Sequence, residues 1–261
     1  MLTTTYVPGA PNWLDLGTRD IAASAAFYGA VFGWRHRSAG PEAGGYGFFE
    51  QEGSTVAGIG PLTAEGASPS WRVYFHTPDA DATAKAVEQA GGSVRIAPAD
   101  VFTFGRAAAF VDPTGADFAV WQPGETRGLD LVAVPGSLAR AELYTTDADA
   151  AKAFYGSVFA WRTTDVPIGP ALTYTVLFPS AGDASAHGGL MQLPQANLDA
   201  GSTSEWHPYF EVRDCDATLA AATEAGATVL IPATEAPGIG RFAMFLDPAG
   251  AAFAVITTAT G

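Results

Sequence analysis

LGTRDIAASAAFYGAVFGWR, Leu16 to Arg35, and LYTTDADAAKAFYGSVFAWR, Leu143 to Arg162, align without a gap. They share an Asp, a Phe-Tyr-Gly triplet, Val-Phe and a closing Trp-Arg. Two further pairs follow in the same order: WRVYFHTPDADAT from Trp71 with WHPYFEVRDCDAT from Trp206, and GRAAAFVDPTGADFAV from Gly105 with GRFAMFLDPAGAAFAV from Gly240. An internal repeat of this extent makes the chain a tandem duplication. The join falls in QPGETRGLDLVAVPGS, whose Gly and Pro content reads as a linker.

Each half divides again. Asp20, Asp79, Asp147 and Asp214 each follow a strand-like run and precede an Ala-rich helical pattern, which predicts four N-caps. Ile21, Tyr28 and Phe32 form one apolar stripe, and Phe154 and Val158 another. Gly91 and Gly226 close the other two helices, where glycine takes the left-handed conformation. DPTG at Asp112 and DPAG at Asp247 fit tight turns between the last two strands of each half.

A strand, an Asp, a helix carrying AFYGxVFxW and strands ending in FxDPxGxxFAV resemble the paired βαβββ modules of the vicinal-oxygen-chelate superfamily of glyoxalases, bleomycin-resistance proteins and extradiol dioxygenases. The likeness is greatest to tandem glyoxalase-like proteins of actinobacteria, some of which carry the label hydroxylase. It implies an α+β fold of four βαβββ units in two tandem domains, 8–124 and 137–258; the Gly- and Pro-rich linker between them, 125–136, is expected to be exposed. It also implies that each pair of units forms a cleft.

Strand alternation separates a helix-packed face from a cleft face. With Leu14, Leu16, Val73, Phe75, Ala141, Leu143, Phe210 and Val212 turned to the helices, the cleft faces carry Trp13, Asp15, Arg72, Tyr74 and His76 in the first half. In the second they carry Arg140, Glu142, Tyr144, His207, Tyr209 and Glu211. Trp121 adds a wall, and Trp206 stands beside the second cleft or plugs the core. Aromatic and ionisable groups on a concave face point to a ligand pocket; the other reading pairs these charges with each other, Arg140 with Glu142. His36 and His187 read as solvated loop residues.

The superfamily's enzymes hold a divalent metal in an open site of N and O ligands. The resemblance places those ligands at Trp13, Arg72, Ala119 and a residue near Gly58 in the first half, and at Arg140, His207, Ala254 and a residue near Gly189 in the second. Only His207 could coordinate, so no metal and no cofactor is expected. The functional expectation is a binding protein for a planar or amphipathic metabolite or antibiotic. The alternatives are a secondary-metabolism enzyme (a lyase, an isomerase or a hydroxylase), with His207 as general base, Arg140 or Arg72 stabilising an enolate or oxyanion and Glu142 beside them, or a lyase or dioxygenase whose metal ligands are displaced.

Composition narrows the partners. The 261 residues are 48% apolar and 15% charged, with a formal net charge of −14 and only Lys85 and Lys152 as lysines, which disfavours nucleic acid and anionic membranes. The single cysteine, Cys215, suits a reducing compartment. No leader and no membrane-length apolar run is evident, so a cytoplasmic monomer or homodimer acting on a small molecule is expected.

Overall fold

The computed structural model describes residues 2–62, 64, 66–168, 172–180 and 186–259. The first half runs β1 (Pro11–Thr18), α1 (Ile21–Phe32), β2 (Arg35–Ser38), β3 (Gly47–Gln51), β4 (Ser54–Pro61), then β5 (Ser70–His76), α2 (Ala80–Gln89), β6 (Ser93–Val101), β7 (Gly105–Val111) and β8 (Asp117–Pro123). The second half repeats it as β9 (Leu138–Thr145), α3 (Ala148–Phe159), β10 (Arg162–Ile168), β11 (Leu172–Phe178), β12 (Gly188–Gln192), a short α4 (Gln195–Asp199), β13 (Glu205–Glu211), α5 (Cys215–Glu224), β14 (Thr228–Ala236), β15 (Gly240–Leu246) and β16 (Ala252–Thr258). Four βαβββ units are therefore present. No helix among the described residues is long and apolar enough to cross a membrane.

The local chemistry behaves as the residues dictate. Asp20, Asp79, Asp147 and Asp214 accept from the N–H groups of Ala23, Ala82, Ala150 and Ala217 at 2.9–3.0 Å, which satisfies one orphan donor in each first turn. In both DPxG turns the Gly N–H returns to the Asp carbonyl, at 3.0 Å for Gly115 and 2.9 Å for Gly250.

The last residue of the repeated helix offers an internal control. Gly33 caps α1 at φ 74°, whereas Ala160 caps α3 at φ 53°, in the left-handed region that opposes a Cβ. Ala160→Gly should raise stability by about 1 kcal/mol and Gly33→Ala should lower it by a similar amount. Chemical denaturation of the two variants measures both; a destabilised Ala160→Gly would contradict the assignment of strain to that cap.

Hydrogen-bonded neighbours order the strands as β2-β3-β4-β1-β5-β8-β7-β6 and β10-β11-β12-β9-β13-β16-β15-β14, so each eight-stranded sheet comes from one half of the sequence. Compactness divides the chain differently. One unit comprises Met1–Trp13, Val73–Gly128 and Arg140–His207; the other comprises Leu14–Arg72, Leu129–Ala139 and Pro208–Gly261. Each unit takes one module from each half.

In the first unit α2 and α3 share a core with Val73, Phe75, Phe118, Phe154, Phe159 and Trp206. Tyr155 of the Phe-Tyr-Gly triplet is fully buried there, donating to Asp112 Oδ2 at 3.0 Å and accepting from Trp206 Nε1 at 2.8 Å. The second unit repeats this with α1 and α5: Tyr28 donates to Asp247 Oδ2 at 3.0 Å and accepts from Trp71 Nε1 at 2.8 Å. Burial and the neighbouring carboxyl push both phenols well above the ordinary tyrosine value, which keeps them donors.

Two expectations are corrected. The linker is not simply exposed: Leu129, Val132 and Gly136 are buried, Asp130 bonds Thr55 through both N–H and carboxylate, and the Trp34 indole donates to Gly136 O at 2.8 Å. Its apolar residues complete the core of the second unit. His36 is exposed, but His187 is buried, with its ring 4.7 Å from that of Trp161 and 6.4 Å from that of Phe75. Neither ring nitrogen has a partner among the described residues, and burial pushes its pKa down to about 3.

Candidate functional site

In the first unit, β9 turns Ala141 and Leu143 into the core, which leaves Arg140, Glu142 and Tyr144 on its other face. The parallel neighbour β12 sets Gly189 opposite Glu142 and Met191 opposite Tyr144, and β11 then sets Tyr174 opposite Met191. From there Tyr174 donates to Glu142 Oε1 at 2.9 Å. A Cβ on Gly189 would lie 2.1 Å from the Tyr174 hydroxyl, so the ring occupies the space a side chain at 189 would take. Burial, then the Glu142 charge, raises the Tyr174 pKa far above its ordinary value while Arg140 opposes, leaving a neutral phenol at any working pH.

Arg140 Nη1 stands 3.9 Å from Glu142 Oε1, an ion pair too long for a hydrogen bond. The charge pairing anticipated from sequence is thus present, but loose. His207 lies edge-on to Tyr144, ring centroids 5.2 Å apart. Burial pushes its pKa down to about 4, so its approach of 3.8 Å to Glu205 is not an ion pair near neutrality. Its Nδ1 is buried with no partner among the described residues.

The first-half residues of this unit make a drier arrangement. Trp13 and Trp121 stack at 6.4 Å, both nearly buried, with the Trp121 indole on Thr126 O at 2.9 Å. Tyr74 pairs with Ala119 and His76 with Trp121 across β5 and β8, and burial lowers the His76 pKa.

In the second unit Asp15 faces Gly58, and the Tyr46 hydroxyl reaches Asp15 Oδ2 at 3.4 Å. A Cβ on Gly58 would meet that hydroxyl at 2.0 Å, so the glycine–tyrosine–carboxylate arrangement occurs once in each half. Arg72 is half-buried at the end of this unit's share of β5. Tyr209 pairs with Ala254, and Glu211 accepts from both the N–H and the hydroxyl of Thr258.

The structure therefore brings Arg140 together with Glu142, Tyr144 with His207, and Trp13 with Trp121. Trp206 takes no part: 2% exposed, with its indole N–H spent on Tyr155, it is a core residue. Its alternation with His207 along β13 requires the opposite face.

Residues 10–120 match the family model of the glyoxalase/bleomycin resistance protein/dioxygenase superfamily, and residues 140–256 match that of a glyoxalase-like domain. The chain is 38% identical over 273 residues to anthracycline biosynthesis protein DnrV of Streptomyces peucetius, covering 99% of this chain and 96% of that protein. This chain belongs to the glyoxalase/bleomycin resistance protein/dioxygenase superfamily. It is likewise 38% identical over 260 residues to CFP32 of Mycobacterium bovis, whose name carries the word glyoxylase, covering 97% of each. Among solved structures it resembles 2,2',3-trihydroxybiphenyl 1,2-dioxygenase of Sphingomonas wittichii with a TM-score of 0.66 at 15% identity, covering 96% of this chain and 91% of that one, a likeness of fold.

Of the eight positions that the resemblance gives to metal ligands, seven do not fit a divalent ion and His207 alone carries a suitable lone pair. Trp13, Arg72 and Arg140 offer no lone pair, and Ala119 and Ala254 are fully buried methyl groups. At Gly58 and Gly189 the space is taken by tyrosine hydroxyls, and the Tyr174 phenol is held protonated. Tyr46 and Tyr174 are the site residues that sequence reading missed. The available signal was a glycine on the cleft face of each fourth strand, which leaves room for a large neighbour.

Proposed function

We propose that this protein binds a planar or amphipathic small organic molecule in its second half, on the face that carries Arg140, Glu142, Tyr144 and His207, without a divalent metal to activate it. The observation that carries this reading is Tyr174, whose ring fills the space above Gly189 and whose hydroxyl bonds Glu142. A carboxylate tied to a phenol, an arginine and a neutral imidazole beside a tyrosine ring make a polar, aromatic surface suited to orienting a flat ligand. The relatedness to a protein named for anthracycline biosynthesis makes polycyclic aromatic compounds the first class to test. The setting proposed is the cytoplasm, with the protein as a monomer or homodimer.

A second reading is favoured by His207. Held neutral down to about pH 4 with an unpartnered nitrogen, it could accept a proton from a bound ligand, and the function would then be an isomerase or lyase. Incubating a bound anthraquinone with the protein and looking for a new product separates the two.

For the binding reading, calorimetric titration with a hydroxyanthraquinone should show saturable binding. His207→Ala and Tyr144→Ala should weaken it at least ten-fold while costing no more than about 2 kcal/mol of stability. Unchanged affinity in both variants would remove this face from consideration.

A further inference from the structure

Arg140 stands where the resemblance places the first metal ligand of the second half. Its side chain is 18% exposed, and the nearest anion, Glu142, lies 3.9 Å away. That distance exceeds the range of an N–H···O hydrogen bond. Glu142 has instead taken the Tyr174 hydroxyl at 2.9 Å. The guanidinium is paired by charge with Glu142 and lowers the Tyr174 pKa against the larger effects of burial and the Glu142 charge. With 18% of its side chain exposed and, among the described residues, a single, loose carboxylate partner, the guanidinium keeps N–H capacity for a ligand.

We infer that the second-half site recognises its ligand through a planar oxyanion seated on Arg140, a carboxylate or an ionised hydroxy-carbonyl oxygen pair. This rests on the binding reading above and gives it a substrate class. A guanidinium is permanently charged and presents parallel N–H groups that match two adjacent oxygens in one plane. Glu142 and Tyr174 supply the backing that fixes it: the carboxylate holds the cation by charge from one side, and the phenol prevents the carboxylate from collapsing onto it. His207, neutral near pH 7, adds no competing charge. On a chain of net charge −14 the general field repels anions, so a local cation decides whether one can bind. At the corresponding first-half position Trp13 offers no cation and stacks on Trp121.

The test uses the whole protein and two flat probes of one shape, 1-hydroxy-2-naphthoate and 1-hydroxy-2-naphthamide, with dissociation constants from isothermal titration calorimetry near pH 7. The carboxylate should bind about ten-fold or more tightly than the amide, as expected for a charge-assisted hydrogen bond. Arg140→Gln should abolish that preference by weakening the carboxylate alone, and Arg140→Lys should restore only part of it. Trp13→Phe should leave the ratio unchanged. Because Arg140→Gln isolates the Glu142 charge, the double variant Arg140→Gln/Glu142→Gln, with its near-ultraviolet circular dichroism compared to the parent, provides a second route to the same loss. Equal affinities for the two probes, or a preference that survives in both variants, would overturn the inference. If the amide still binds and His207→Ala weakens it, the binding reading stands while the oxyanion seat falls. If neither probe binds, both fall.

Discussion

Acidification from about pH 6.5 to about pH 4.5 should lower the unfolding free energy by roughly 5 kcal/mol, most of the stability of an ordinary domain. The cause is two buried histidines. His187 is pushed down to about 3 and His207 to about 4 from an unfolded value of 6.5, both by burial. Below pH 6.5 the unfolded chain takes up a proton at each, and the folded chain does not until its own lower pKa is reached. Stability therefore falls as pH falls through that window, by about 1.4 kcal/mol per pH unit for each histidine. His76, also depressed by burial, works in the same direction. Glu205 opposes, because burial raises its pKa and the folded state takes up its proton first. Asp165 and Asp216, depressed by hydrogen bonds from Thr175 and Arg241, enter only at lower pH, since their contribution is present above the unfolded carboxylate pKa and lost beneath it. Urea unfolding at pH 7, 6 and 5 measures the slope. His187→Leu should remove close to half of it, and a flat midpoint across the three pH values would show that these rings are not buried as neutral imidazoles.

The four units were legible because duplication writes the same local grammar four times: an Asp before an Ala-rich run, and an Asp-Pro-x-Gly before a closing strand. Such signals are contained within a few residues, and the caps at Asp20, Asp79, Asp147 and Asp214 formed as read. Strand parity was equally local, and it placed Arg72, Tyr74 and His76 opposite Trp71, Val73 and Phe75 in clean alternation. The same parity applied to β13 would have sent Trp206 to the core with Phe210. What could not be read depends on pairing across distant strands. Tyr174 reaches Glu142 only because β12 sits in register between their strands. His187 reads as a loop residue until Trp161 and Phe75 close over it. The linker looked solvated by composition, yet Leu129 and Val132 pack because the second unit needs their apolar surface.

Tyr155→Phe should destabilise the protein by about 3 kcal/mol, far more than the loss of one hydroxyl suggests. That oxygen sits between two buried groups, accepting from Trp206 Nε1 at 2.8 Å and donating to Asp112 Oδ2 at 3.0 Å. Phenylalanine fills the same volume, so no cavity contributes. The cost arises because an indole N–H and a carboxyl oxygen are left buried without partners, at about 1 to 3 kcal/mol each. The other oxygen of Asp112 is already committed to the N–H groups of Thr114 and Ala116 and the Thr114 hydroxyl, so it cannot rotate to compensate without undoing the turn. Tyr28→Phe should cost a similar amount through Trp71 and Asp247, which have the same geometry. The Tyr lies in one half of the sequence and the Asp in the other, and so each half holds the closing turn of its sibling. Separately expressed fragments 1–124 and 137–261 should consequently lack the stability of the whole, each having a tyrosine without its aspartate. Denaturation of the two single variants, the double variant and the two fragments tests this. Additive losses in the double variant are expected, because the two triads belong to different compact units. A cost below about 1 kcal/mol for either single variant would mean that the buried triad does not join the two modules within its own unit as described.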